Sequence, residues 1–171
     1  MLRYTLIMIK YKDEYLMLNR EKPSWMGRWN GTGGKIKYNE SPFDSAKREL
    51  FEETGIKYEN PEYKGILTWV TDKNQIITDN GMYIFLAELK EKPFNGPLET
   101  REGILAWKKY LWLMDENNEG TADNIKYFIP NLSEKTLMEY RCFWENNILK
   151  NVEISELEKK WYDIKSKKQT A

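Results

Sequence analysis

Three glutamates, Glu49, Glu52 and Glu53, stand at i, i+3 and i+4, directly after Arg48. On a helix that spacing gathers them on one face. Like charges so placed repel by roughly 0.2–0.5 kcal/mol per pair. A hard divalent cation relieves that repulsion, and Mg²⁺ in particular combines carboxylate oxygens with water and substrate phosphates. Arg48 can orient a neighbouring carboxylate by paired hydrogen bonds. Glutamates on a helix surface are common, so the cluster needs context before it means a metal site.

Part of that context lies just upstream. The stretch RWNGTGGKI (28–36) holds three glycines in four positions, which marks either a turn or a place where main chain must approach something closely. It is neither a Walker A loop nor a dinucleotide fingerprint, because Trp29 and Ile36 occupy positions those motifs reserve for glycine, serine or threonine. The 171 residues contain no histidine, which excludes imidazole-dependent zinc sites and Ser-His or Cys-His nucleophiles. Acid–base and metal chemistry must therefore rest mainly on carboxylates.

The elements that would hold these residues can be read from pattern. RYTLIMI (3–9) and YLMLNR (15–20) read as a hairpin, and GILTWVT (65–71) and MYIFLAEL (82–89) as further strands. ILAWKKY (104–110) is ambiguous between strand and helix start. Ser41-Pro42 opens a helix, with Asp44 placed to complete its cap and Gly55 to end it. Leu137, Tyr140, Trp144 and Ile148, then a Ser155/Glu158 capping box before Leu157, Trp161 and Ile164, predict a helical tail that covers the core. Strands mixed with helices give an α/β or α+β sandwich.

Composition bounds the rest. Forty per cent of residues are hydrophobic and 32% charged, with 27 basic and 27 acidic side chains, so the chain is globular and net charge gives no case for duplex nucleic-acid binding. The single cysteine, Cys142, fits a reducing compartment. The apolar run near the N-terminus is too short for a signal peptide or a membrane span. These features predict a cytoplasmic, non-membrane protein, monomeric or homodimeric.

Taken together, GKIKYNESPFDSAKRELFEETGI (34–56) resembles the Nudix box, G-x5-E-x7-R-E-U-x-E-E-x-G-U with U apolar. Gly34, Glu40, Arg48, Glu49, Leu50, Glu52, Glu53, Gly55 and Ile56 all fall in register. The resemblance implies an α/β/α sandwich around a mixed sheet, here a Nudix domain over 1–138 with a helical extension over 139–171. It implies Mg²⁺, with Mn²⁺ as an alternative, held by Glu49, Glu52, Glu53 and the carbonyl of Gly33. The reaction implied is hydrolysis of a nucleoside diphosphate linked to another group. Glu53 is the favoured base, Glu52 the next, and Arg48 the residue that positions them; water activated on the ion is the alternative base.

The flanks resemble the MutT-type diphosphatases acting on 8-oxo-dGTP and other oxidised purine nucleoside triphosphates. That likeness nominates Asn30 and Trp69 for the base, Thr5 and Arg20 for the nucleotide, and Thr32 and Lys35 for the substrate near its phosphates. LETREGILAW (98–107) nominates Glu99 as a further metal ligand, and TADNIKYFIP (121–130) nominates Asp123 and Asn124 for the purine edge. Asn124 stands where those enzymes carry a second acid, and Thr121 where they carry an aromatic. Alternatives are another nucleoside diphosphate derivative, such as a dinucleoside polyphosphate, a nucleotide sugar or an ordinary NTP, or a non-catalytic nucleotide-binding module.

Overall fold

The computed structural model describes residues 1–70 and 76–167. Nine strands form one mixed sheet: β1 (Tyr4–Tyr11), β2 (Glu14–Arg20), β3 (Trp29–Asn30), β4 (Glu62–Val70), β5 (Ile76–Glu88), β6 (Leu98–Thr100), β7 (Gly103–Lys109), β8 (Met138–Glu145) and β9 (Ile148–Glu156). Their order is β6-β7-β2-β1-β5-β4-β8-β9, with β3 paired to β2. The β1–β5 and β4–β8 pairs are parallel and the others antiparallel.

The continuous apolar run of β1 follows from cover on both faces of the sheet. Ile7 and Ile9 point to the side where helix α1 (Pro42–Thr54) packs with Ala46 and Leu50, while Leu6 and Met8 point to the other. That second side is closed by two single-turn helices, α2 (Tyr110–Leu113) and α3 (Ile125–Phe128), through Leu113, Ile125 and Phe128. The architecture is an α/β/α sandwich with little helix.

Local chemistry sets the ends of α1. The Ser41 hydroxyl accepts from the Asp44 amide at 3.0 Å and donates to the Asp44 carboxylate at 2.7 Å. At the other end Gly55 takes the left-handed conformation (φ 73°) and its N–H closes on the Phe51 carbonyl. The ambiguous 104–110 segment is strand β7, turning into α2 at Tyr110.

The tail departs from expectation. Residues 138–156 form a β-hairpin, not a helical extension, and the only helix beyond it among the described residues is a single 3₁₀ turn, Lys159–Trp161. The spacing of Tyr140, Trp144 and Ile148 is compatible with two periods, and parallel pairing of β8 with β4 selects the strand. Asn146 and Asn147, both at positive φ, make the two-residue turn. After the hairpin, Leu157 and Trp161 return beneath α1, with Phe43 N–H bonded to the Ile164 carbonyl.

The β4–β8 junction depends on Gly65, at φ 117°, where a Cβ would lie 1.9 Å from the Met138 carbonyl oxygen. Gly65→Ala therefore destabilises the fold by about 2 kcal/mol or more. Urea denaturation of wild type and variant measures that loss.

Candidate active site

The sheet opens where the chemistry sits. β1 and β2 pair only at Ile9–Tyr11 with Glu14–Leu16. Below that point they splay, and residues 29–36 fill the gap. β3 pairs with Leu18 and Asn19 of β2, and the Thr5, Ile7 and Ile36 amides bond along the other side of the wedge to Gly34, Thr32 and Arg3 carbonyls. This close approach explains the glycines. At Gly33 (φ 146°) a Cβ would lie 2.2 Å from the Thr5 carbonyl oxygen, and at Gly34 it would lie 2.5 Å from the Glu49 carboxylate. The bare backbone thus lets helix α1 lie against the wedge.

Three carboxylates reach that contact from α1. The Gly33 N–H donates to Glu53 Oε2 at 2.9 Å. Burial pushes the Glu53 carboxyl up to about 7, aided by the charges of Glu49 and Glu102, while the Gly33 bond and Arg20 pull the other way. Arg48 organises the remainder. Its Nε and Nη2 donate to the two oxygens of Glu40 at 2.7 and 2.8 Å, and its Nη1 donates to Glu49 at 2.6 Å and Glu52 at 2.9 Å. Burial works to raise the Glu40 carboxyl, but the Arg48 bonds and the Lys37 amide outweigh it and hold the group below its ordinary value. Arg48 is in turn held more firmly protonated, first through its bond to Glu40.

Glu49, Glu52 and Glu53 share a cavity of about 460 Å³ with Gly34, Arg101 and Glu102. Among the described residues no three acids converge as they stand into a finished cation cage, because Arg48 holds Glu49 and Glu52 and the Gly33 amide holds Glu53. The donor set nonetheless fits a hard divalent cation: it is all oxygen, it carries several negative charges, and it faces a cavity roomy enough for water and phosphate. Glu49 and Glu52 each give Arg48 one oxygen and keep the other to offer an ion.

Glu99 lies elsewhere. It is exposed on edge strand β6, paired with Ile104, while Glu102 lines the carboxylate cavity. The reason is the turn between β6 and β7. Gly103 pairs with Arg20 across the β7–β2 ladder, and the Glu21 N–H bonds to the Glu102 carbonyl, so residues 101–102 are drawn to the mouth. Glu102 and Arg101 are lining residues of the candidate site that sequence reasoning missed. The glycine at 103, whose Cβ would meet the Asn19 carbonyl at 1.9 Å, was the available signal.

Beside the carboxylates lies a second cavity of about 460 Å³, whose walls include Thr5, Arg20, Asn30 and Trp69. Asn30 Oδ1 accepts from the Gly31 amide, leaving its NH₂ free to donate. Thr5 Oγ1 and Arg20 Nε are buried without partners. Trp69 meets Tyr4 edge-to-face, with centroids 6.0 Å apart. Thr32 is fully buried, and its hydroxyl bonds back to the Ile7 carbonyl. Lys35 is exposed and lines a separate groove of about 610 Å³ along Lys37, Tyr38, Arg48 and Glu52. The 120–122 segment pairs with Trp29, which brings Asp123 and Asn124 close in sequence to that contact. Asp123 is nevertheless ion-paired to Arg28 Nη1 at 2.5 Å, and the Asn124 side-chain oxygen is buried without a donor.

Glu53 supplies a stability test. Unfolded, its carboxyl titrates near 4.5; folded, it holds its proton to about 7. The folded chain binds more protons between those values, so this group's effect on stability worsens as pH rises from 4.5 through 7 and is fully unfavourable above. In metal-free protein Glu53→Gln raises stability at pH 8, by about 1–3 kcal/mol, and changes little at pH 4.5. Thermal melts at both values measure this.

Comparison with known proteins agrees with this geometry. The NUDIX domain model matches residues 1–132. A Nudix hydrolase of Bacillus subtilis (strain 168), YvcI, is 34% identical over 108 residues, which are 61% of this chain and 64% of that protein, so the match spans under two thirds of its length. An 8-oxo-dGTP diphosphatase of Buchnera aphidicola is 30% identical over 122 residues, covering 71% of this chain and 78% of that one. The crystal structure of a MutT protein from Bacillus halodurans superposes with a TM-score of 0.72 at 29% identity, covering 91% of this chain and 98% of the other. A glycine wedge facing a glutamate-bearing helix inside a mixed sheet, matched by the domain model over most of the chain, places this protein in the Nudix family.

Proposed function

We propose that the protein hydrolyses purine nucleoside triphosphates, oxidised ones such as 8-oxo-dGTP among them, to the monophosphate and pyrophosphate, and so cleanses the nucleotide pool of the cytoplasm. The observation that carries this reading is the adjacency of the two cavities. Thr5 and Arg20 belong to the wall of the ring-sized pocket, yet Thr5 backs Gly33 and Arg20 acts electrostatically on Glu53. A nucleotide with its base against Asn30 and Trp69 therefore presents its phosphates to the carboxylates. The Buchnera relative named for 8-oxo-dGTP supports the same substrate class.

A divalent cation, Mg²⁺ or Mn²⁺, held by Glu49, Glu52, Glu53 and Glu102 with the Gly33 carbonyl, would neutralise charge on the phosphate oxygens. The chain's own residues supply the rest. Glu53, raised to about 7 when metal-free, is suited to accept a proton from the attacking water near neutral pH. The water oxygen bonds to phosphorus, the anhydride P–O bond breaks, and pyrophosphate leaves. Arg48 positions Glu49 and Glu52 without touching substrate, anchored through Glu40. Arg101, exposed at the cavity rim, is placed to meet the outer phosphates. The Asn30 amide reads the base as a donor.

A second reading has its own support. Asp123 is engaged by Arg28, and Asn124 is an amide, so base selection is less acid-driven than the oxidised-purine reading asks. The groove along Lys35, Lys37 and Tyr38 leaves room for a larger group beyond the phosphates. A dinucleoside polyphosphate would use it.

Mg²⁺-dependent hydrolysis of 8-oxo-dGTP, dGTP and diadenosine tetraphosphate, run side by side with chromatography of the nucleotide products, separates the two readings. The proposal expects triphosphates to be favoured in kcat/KM and Glu53→Gln to cost about a hundredfold or more. Asn30→Ala should raise KM about tenfold, the worth of one buried hydrogen bond. Preference for the dinucleotide would favour the second reading, and near-wild-type turnover by Glu53→Gln would remove that residue as the base.

A further inference from the structure

The ring-sized pocket does not end at Trp69. Ser24, Trp25, Trp69 and Asn80 also wall a contiguous chamber of about 550 Å³, completed among the described residues by Trp144 and Asn147. The inner pocket adjoins the carboxylates through Thr5 and Arg20, and the outer chamber adjoins the inner one through Ser24, Trp25, Trp69 and Asn80.

The outer chamber has a definite chemistry. Its described walls are three indoles, two amides and a serine, without a charged side chain. The rings of Trp25 and Trp144 meet at 5.6 Å, tilted by 56°, forming an aromatic corner. Trp144's indole N–H is buried without an acceptor, a cost that the fold carries at this wall. The backbone is irregular at each aromatic wall. Trp25 sits at φ 66°, the β4–β5 register shifts at Trp69, between Thr68 and Val70, and the β8–β9 register slips between Phe143 and Trp144. Such irregularities re-aim side chains and concentrate beside functional sites.

We propose that this chamber is a subsite for a flat, uncharged ring carried on the outer edge of the nucleobase, so that the enzyme favours nucleotides whose base bears an aromatic substituent. This rests on the nucleotide reading above, with the base in the inner pocket. Uncharged walls argue against a phosphate-linked second nucleotide, because no described cation in the chamber would meet its phosphodiester. Indole faces suit a ring that stacks in offset or edge-on geometry. The C-terminal hairpin thus belongs to the specificity apparatus through Trp144 and Asn147, and not only to the cover of the core.

Calorimetric binding tests this without requiring turnover. The probes are AMP, N6-benzyl-AMP, 8-benzylamino-AMP and the dinucleotide pApA. Two benzylated probes are needed because either edge of the purine can face outward. One of them should bind about tenfold or more tighter than AMP, and Trp144→Ala should abolish that preference while leaving AMP affinity within about twofold. Trp144→Phe, which keeps a ring, should retain most of it. If Trp144→Ala fails to fold, Trp25→Ala is read instead by the ratio of the benzylated probe to AMP, which should fall to near one. Equal binding of AMP and both benzylated probes overturns the proposal, as does a preference untouched by the tryptophan substitutions. Preference for pApA alone reassigns the chamber to a second nucleotide. Failure of AMP itself to bind overturns the nucleotide reading, whatever the outer chamber accepts.

Discussion

The site depends on one contact: the bare peptide at Gly33-Gly34 pressed between β1 and the glutamate face of α1. Gly33 meets the Thr5 carbonyl on one side and bonds Glu53 through its amide on the other, while Gly34 leaves space for the Glu49 carboxylate. A side chain at Gly33 would collide with the β1 backbone, and one at Gly34 would displace the Glu49 carboxylate. Because β1 is central, either change would reach both the cavity walled by Thr5 and the one lined by Glu49 and Glu53. Two glycines therefore set the distance between recognition and chemistry.

Arg48 solves the electrostatic problem this closeness creates. Four acids, Glu40, Glu49, Glu52 and Glu53, crowd one end of the helix, and mutual repulsion alone would fray it. The paired bonds to Glu40 anchor the guanidinium, and its remaining N–H groups hold Glu49 and Glu52. Glu53 is left outside the arrangement, buried and kept partly neutral near pH 7. Such division gives otherwise similar carboxylates different roles through environment alone.

Much of the glutamate-bearing half was legible because its signals are local. The Ser41-Pro42 start, the Gly55 stop and the i, i+3, i+4 glutamates are decided within one helix, and the glycine run announces a close approach before its partner is known. The rest depends on pairing across the sheet. Glu99 and Glu102 are equally plausible loop acids in sequence, and only the alignment of Gly103 with Arg20 brings Glu102 to the cavity. The tail reads at helical spacing, yet Tyr140 and Trp144 also share a strand face, and the choice is made by the open edge of β4, 73 residues away along the chain. Asp123's partner, Arg28, lies 95 positions distant, beyond any local pattern.

Everything turns on Glu53 being a largely buried carboxyl held ready for an ion by the Gly33 amide. Carbon-detected NMR titration of its side-chain carboxyl, with and without saturating Mg²⁺, reads this directly. The account predicts a midpoint near 7 in the metal-free protein, driven by burial, and a fall of more than one pH unit when Mg²⁺ is added. An ordinary carboxylate midpoint in the absence of metal, or one that Mg²⁺ leaves unmoved, would contradict it.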